Sequence, residues 1–336
     1  MSEFAALSRI EFSQSQLIDQ VFNQFSQAVN LPFDFDVTQD EIVFSDVAIN
    51  SDVELVLFAD TSMEDFVELI NLLQIDQLSL VACNDRGGRA SYRFKVDAIA
   101  LDKKALLNDF ALDAGLELAL IEHAPSIDEP GLLVMDMDST TIQIECIDEI
   151  AKLAGVGEEV SAVTERAMQG ELDFAESLRA RVSTLAGASE DILAQVGENL
   201  PLMPGLEILI AELHRRNWKV AVASGGFTYF TEILKHQLNL DATQANVLEI
   251  ENGLLTGKVV GDITDAQVKA DTLVKLAEHY QLPIAQTVAM GDGANDLLMM
   301  NAANLGVAFE AKPIVLQQAS AAINTSGLDT LLHYLK

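Results

Sequence analysis

Three short polar patches stand out in a chain of 336 residues: Asp136-Met137-Asp138-Ser139-Thr140, Ser224-Gly225-Gly226 and Gly291-Asp292-Gly293-Ala294-Asn295-Asp296. Asp136, Asp138 and Asp292 offer carboxylate oxygens, the donor type that suits a hard cation such as Mg²⁺. A carboxylate can also attack phosphorus and form a covalent aspartyl-phosphate. A second carboxyl two residues on can protonate the leaving oxygen and then activate water. Phosphoryl transfer otherwise needs positioning and charge neutralisation. The Ser224 hydroxyl, the amides around Gly225 and the ammonium of Lys269 could supply both. Singly, each feature is commonplace. A lone DxD is usually a turn or helix cap, an SGG a turn, Asp292–Asp296 a capped loop and Lys269 a surface residue. Their combination and order carry the reading.

The patches matter because of what precedes them. LLVMD (132–136), VAVAS (220–224), TVAMGD (287–292) and LGVAF (305–309) read as near-continuous apolar strands, as expected of a parallel sheet covered on both faces. Helices over 205–216 and 265–279 and a hairpin over 247–262 turning at Asn252–Gly253 complete an α/β, Rossmann-like core. Ligands of such sheets bind at the carboxyl ends of the strands, so the patches should meet in one site. The helical stretch of about 144–201 is too long for a simple crossover and reads as an inserted cap. Before the core, 53–123 follows a βαββαβ order with Ser62 as a helix N-cap, an α+β, ferredoxin-like arrangement. Residues 1–50 show only a helix near Ser15–Phe25 and a short strand at Glu41–Phe44. The expected division is 1–128 as an N-terminal domain, regulatory or oligomerising, and 129–336 as a catalytic domain, joined through a linker at 123–131.

Residues 131–336 resemble the haloacid dehalogenase-like phosphatase superfamily: DMDST matches its first motif, Ser224 the second, Lys269 the third and GDGAND the fourth. The resemblance implies Asp136 as nucleophile and Asp138 as proton donor and acceptor. It implies Mg²⁺ on Asp136, Asp292 and the backbone carbonyl of Asp138, with Asp296 behind the ligands and Ser224 and Lys269 on the phosphoryl group. The stretches 136–160, 168–182, 224–227 and 291–300 are similar, more narrowly, to the phosphoserine phosphatase family. That implies phosphoserine as substrate, hydrolysed to serine and phosphate in the last step of serine biosynthesis. Glu145 would then take the ammonium, Arg181 the carboxylate through its planar fork, Met168 and Phe174 the pocket wall, and Asn295 and Gly225 the positioning of the substrate. Arg179 is expected to face solvent.

The formal charge of −32 argues against nucleic acid or an anionic membrane as partner. It leaves a small-molecule substrate and a possible homodimer through a sheet edge. No apolar run reaches the roughly 20 residues of a membrane helix, and MSEFAALSRIEF does not read as a signal peptide. The two cysteines, Cys83 and Cys146, suit reduced thiols in a cytoplasmic protein. The five histidines are scattered, which disfavours zinc. Two other readings stay open: a phosphatase or phosphotransferase for another small phosphate monoester, and a serine-sensing binding protein with an inactive catalytic domain.

Overall fold

The computed structural model describes residues 9–26, 31–169 and 171–336, with side chains for all of these but 24–26 and 168. The chain divides into two compact units: Met1–Ala124 together with Leu316–Lys336, and Pro125–Val315. Among the described residues, no helix is long and apolar enough to cross a membrane.

The first unit is built on an antiparallel sheet. Its elements are β1 (Arg9–Glu11), α1 (Ile18–Ser26), β2 (Phe33–Val37), β3 (Glu41–Ser45), β4 (Val53–Phe58), α2 (Met63–Leu73), β5 (Gln77–Arg86), β6 (Arg89–Lys95), α3 (Lys104–Ala114) and β7 (Leu118–Glu122). The sheet has seven strands in the order β1-β3-β2-β5-β6-β4-β7. The helix α2 starts where its cap predicts, with Ser62 Oγ accepting from the Asp65 amide at 3.0 Å. Residues 1–50 hold more structure than expected. In β2, Phe33 and Phe35 are buried and Asp34 and Asp36 are not, a period-two pattern that marks a half-buried strand. The core is aromatic: the Phe22 ring lies 5.2 Å from Phe94 and 5.7 Å from Phe66.

The second unit holds β8 (Leu132–Met135), a helical insertion of α4 (Cys146–Ala154), α5 (Gly157–Met168), α6 (Phe174–Thr184) and α7 (Asp191–Gly197), and then α8 (Leu206–Arg215) and β9 (Lys219–Phe227). It continues with α9 (Thr228–Leu238), β10 (Ala242–Glu251), β11 (Leu254–Val260), α10 (Ala266–His279), β12 (Thr287–Gly291), α11 (Leu297–Ala302) and β13 (Leu305–Phe309). Its strands run in the order β11-β10-β9-β8-β12-β13. All neighbours are parallel except the β10–β11 hairpin, which turns through left-handed Asn252 (φ 53°) and Gly253 (φ 79°) as the sequence predicts. Strand β8 is the topological switch point: the chain moves from it to β9 on one side and to β12 on the other. Met135 pairs with Val222 of β9 and with Met290 of β12, so the carboxyl ends of the three strands are level.

After β13 the chain runs through α12 (Pro313–Gln318) to β14 (Ala321–Ile323) and α13 (Leu331–Tyr334). From Leu316 onward the chain belongs to the first unit, which corrects the expectation of a catalytic domain continuous to 336. The reason is a set of buried polar anchors. Glu117 accepts from the amides of Asn324 (3.2 Å), Thr325 (3.0 Å) and Ser326 (3.1 Å). Arg93 donates to the carbonyls of His333 (2.8 Å) and Leu335 (2.7 Å).

Candidate active site

Asp136 follows the last residue of β8, and its amide donates to the Met290 carbonyl at 2.9 Å, fastening it to β12. Its carboxylate Oδ1 accepts from the Met137 amide at 2.7 Å and pairs with Lys269 Nζ at 2.9 Å. Both contacts fall on one oxygen, which leaves Oδ2 for a ligand. Lys269 is fully buried and reaches Asp296 Oδ1 at 2.8 Å. Burial works against its charge, but Asp136 and Asp296 outweigh it and hold its pKa above the ordinary lysine range. It sits in the first turns of α10, which Asp265 caps by accepting from the Val268 amide.

Asp296 is held on both oxygens, by Lys269 and by the Gly293 amide at 3.0 Å. It can tuck under the end of β12 only because position 291 is glycine: a Cβ there would lie 2.3 Å from the Asp296 carboxyl. Burial first, and then Asp136, push the pKa of Asp296 up to about 7 against the pull of Lys269. Asp292 is raised for the same two reasons, and Thr140 Oγ1 donates to it at 3.4 Å. Asp136, Asp292 and Asp296 each present an oxygen within 4.8 Å of the others, the donor set of a divalent-cation site.

Asp138 accepts from the Cys146 amide at 3.3 Å at the start of α4. Burial, then Glu145 and Asp136, lift its pKa well above the carboxylate range. Glu145 immediately precedes α4 and accepts from Ser139 Oγ at 2.9 Å. One side of Glu145 is open to solvent, but protein surrounds the rest, and that burial together with Asp292, Asp136 and Asp148 pushes its pKa up.

Ser224 ends the apolar part of β9 and is buried, with its Oγ accepting from the Gly226 amide at 2.8 Å. Phe174, the first residue of α6, lies against the next position so closely that a Cβ on Gly225 would come within 2.5 Å of its ring. The Gly225 carbonyl accepts from Asn246 Nδ2 at 2.8 Å, and Asn246 Oδ1 accepts from the Thr264 amide at 2.8 Å. Asn246 thus fixes the Ser224 loop. The sequence reading passed over it, since no motif marks it and only the register shift after Gln244 in the β9–β10 pairing sets its position.

A cavity of about 500 Å³ opens over these groups. Asp136, Asp138, Ser224, Gly225, Asp292 and Asn295 line its floor, and Glu145, Phe174 and Arg181 line it from the helical insertion. Arg181 is partly buried, and its Nε has no hydrogen-bond partner among the described residues. Burial lowers its pKa, opposed by Asp148, Glu145 and Asp138. Arg179 is exposed and does not line the cavity. Lys269 and Asp296 stand behind the floor. Met168 ends α5, and its side chain lies outside the described ones. Lys312 also reaches the cavity, though the sequence reading did not single it out.

Comparison with known proteins agrees with this geometry. The sequence profile of the haloacid dehalogenase-like hydrolases matches residues 131–304. A phosphoserine phosphatase of Vibrio cholerae serotype O1 is 62% identical over 213 residues, 63% of this chain. The match spans 65% of that relative's length. The unliganded crystal structure of a probable phosphoserine phosphatase from Vibrio cholerae has a TM-score of 0.72 at 48% identity, covering 86% of this chain and 88% of that one. A phosphoserine phosphatase solved with a phospho-aspartyl intermediate analogue has a TM-score of 0.59 at 40% identity, covering 62% of this chain and 100% of that one. The matched stretch holds the cavity floor from Asp136 to Asn295 and the Lys269–Asp296 pair behind it, and the chain belongs to the haloacid dehalogenase-like hydrolases.

Proposed function

We propose that this protein is a Mg²⁺-dependent phosphoserine phosphatase that works through an aspartyl-phosphate on Asp136 and supplies serine as the last step of its biosynthesis. The observation that carries the reading is one cavity with two ends. Its floor presents the free oxygen of a lysine-held Asp136 beside a protonatable Asp138, and its helical wall presents Glu145 and the unpartnered Nε of Arg181. Phosphoserine has the matching groups: a phosphate at one end, an ammonium and a carboxylate at the other.

Asp136 Oδ2 attacks phosphorus as the ester P–O bond breaks, and Asp138 gives its proton to the departing serine oxygen. Burial and the neighbouring Glu145 and Asp136 carboxyls raise its pKa, which favours the protonated form this step needs. Asp138 then takes a proton from water, whose oxygen attacks phosphorus, and the P–O bond to Asp136 breaks to release phosphate. Ser224, the amides of the Gly225 loop, Asn295 and Lys269 position the phosphoryl oxygens. Asp136, Asp292 and the Asp138 carbonyl would hold Mg²⁺, which when bound neutralises the crowded carboxylates and the phosphoryl charge. Asp296, with both oxygens engaged by protein, holds Lys269 instead. Phe174 narrows the pocket against water, the role the family resemblance also gives Met168.

The first unit is assigned no chemistry. We read β4-α2-β5-β6-α3-β7 as ferredoxin-like, a reading supported by the antiparallel order β5-β6-β4-β7. Homodimerisation through a sheet edge and a cytoplasmic location belong to the same proposal.

The test is phosphate release from phosphoserine, phosphothreonine and sugar phosphates, with and without Mg²⁺. Arg181→Ala should cost phosphoserine hydrolysis about a hundredfold, as for loss of a charged hydrogen bond, and leave an ester without a carboxylate nearly unaffected. Equal losses on both would remove Arg181 from its role. A preference for a sugar phosphate would move the substrate to another monoester. Absence of any Mg²⁺-dependent release would leave a serine-sensing binding protein.

A further inference from the structure

The cavity presents an electrostatic problem. Six acidic side chains line it against two cations, Arg181 and Lys312. The chain around it carries a net charge of −32. Lys269 relieves this only at the floor, where it also pairs with Asp136 and Asp296, and not at the mouth. A phosphate ester must nevertheless enter as an anion.

Lys312 stands where relief is possible. Strand β13 pairs in parallel with β12, Gly291 opposite Ala308, so its carboxyl end is level with the end that carries Asp292. Three residues past β13 comes Lys312, making this a fourth strand end at the site. Glu310, two residues earlier, has a left-handed backbone (φ 43°), uncommon for a residue with a side chain and a way to redirect the chain toward the cavity. Lys312 is exposed and lines the cavity, and its ammonium makes no ion pair or hydrogen bond among the described residues, while its carbonyl accepts from the Val315 amide at 2.9 Å.

We propose that Lys312 is the anion-capture residue of the cavity mouth, drawing the phosphate of the incoming ester past the surrounding carboxylates. The inference rests on the phosphatase reading. A charge at a rim acts on association and its salt dependence more than on the chemical step.

The experiment is a charge series at position 312 in the full-length Mg²⁺-loaded protein. Lys312→Ala should raise KM for phosphoserine roughly five- to tenfold and Lys312→Glu further, with kcat within about twofold, while Lys312→Arg stays close to the parent. The decline of kcat/KM with added salt should flatten in Lys312→Ala and reverse in Lys312→Glu. A structural role would not grade with charge. KM values equal across the series, or a fall in kcat alone, would overturn the proposal. Calorimetric binding of inorganic phosphate to the same Mg²⁺-loaded variants tests it without turnover. If phosphoserine proves not to be a substrate, weaker phosphate binding in the same charge order still supports Lys312, and unchanged binding overturns it.

Discussion

The two units each bury a cation against carboxylates, and they do it in opposite ways. In the first, Arg93 gives Nε and Nη2 to Glu54 at 2.9 and 2.5 Å and Nη1 to the carbonyls of His333 and Leu335. Lys336 adds a second cation at 3.5 Å from Glu54, so negative charge is not in excess there, and every nitrogen of Arg93 has a partner. In the second, Lys269 is shared by Asp136 and Asp296, Asp292 crowds the same corner, and Asp136 keeps one oxygen open to a cavity. The negative charge there is in excess. A buried pair whose valences are filled holds a fold together; a buried cluster with surplus like charge and a free atom is strained toward a ligand.

The comparison is broken most sharply by Asp136→Asn. Phosphate release should fall at least about a thousandfold, because the proposed nucleophile is removed, while the midpoint of unfolding stays level or rises as like-charge repulsion is relieved. Turnover that survives would remove the mechanism. Arg93→Ala should do the reverse: it leaves buried Glu54 with only Lys336, 3.5 Å away, as a charge partner, costing about 3 kcal/mol in denaturant unfolding, with kcat of the folded protein unchanged. A loss of kcat without loss of stability would erase the contrast.

A smaller effect separates the units by pH. In metal-free protein, Asp296 is raised to about 7 from an ordinary 3.8, so the folded state binds its proton more tightly. The stability it contributes is complete at low pH and is lost as pH rises through about 7. His333 runs the other way. Burial lowers it from 6.5 to about 4, so its contribution is present above the ordinary histidine range and is lost as pH falls through about 4. Trp218, the one tryptophan, lies in the second unit and reports it by fluorescence, while amide exchange in β6 reports the first. Between pH 5 and pH 7 the two probes should move in opposite directions, and a common direction would refute the assignment.

Much of the second unit was legible in the sequence. Apolar runs ending in Asp, Ser and Gly-Asp state both a strand and what its end presents, so Asp136, Ser224 and Asp292 could be placed together before any coordinates. What lay hidden depends on three-dimensional register. Asn246 supports the Ser224 loop only because of the shifted register between β9 and β10. Lys312 reaches the cavity because β13 ends level with β12, a relation that LGVAF alone does not express. The Phe-Asp alternation of β2 was readable and was passed over. The return of residues 316–336 to the first unit rests on contacts such as Glu117 with Thr325, between segments some two hundred residues apart, which no local pattern encodes.

That return has a consequence for the protein while it is being made. Domains usually fold in the order in which the ribosome delivers them. Here Arg93 and Glu117 lack most of their partners until residues 324–335 have emerged, whereas the second unit, closed at Val315, has all of its chain sooner. The unit that begins first is finished last: the second unit has its whole chain while the first still waits for the segment that closes it.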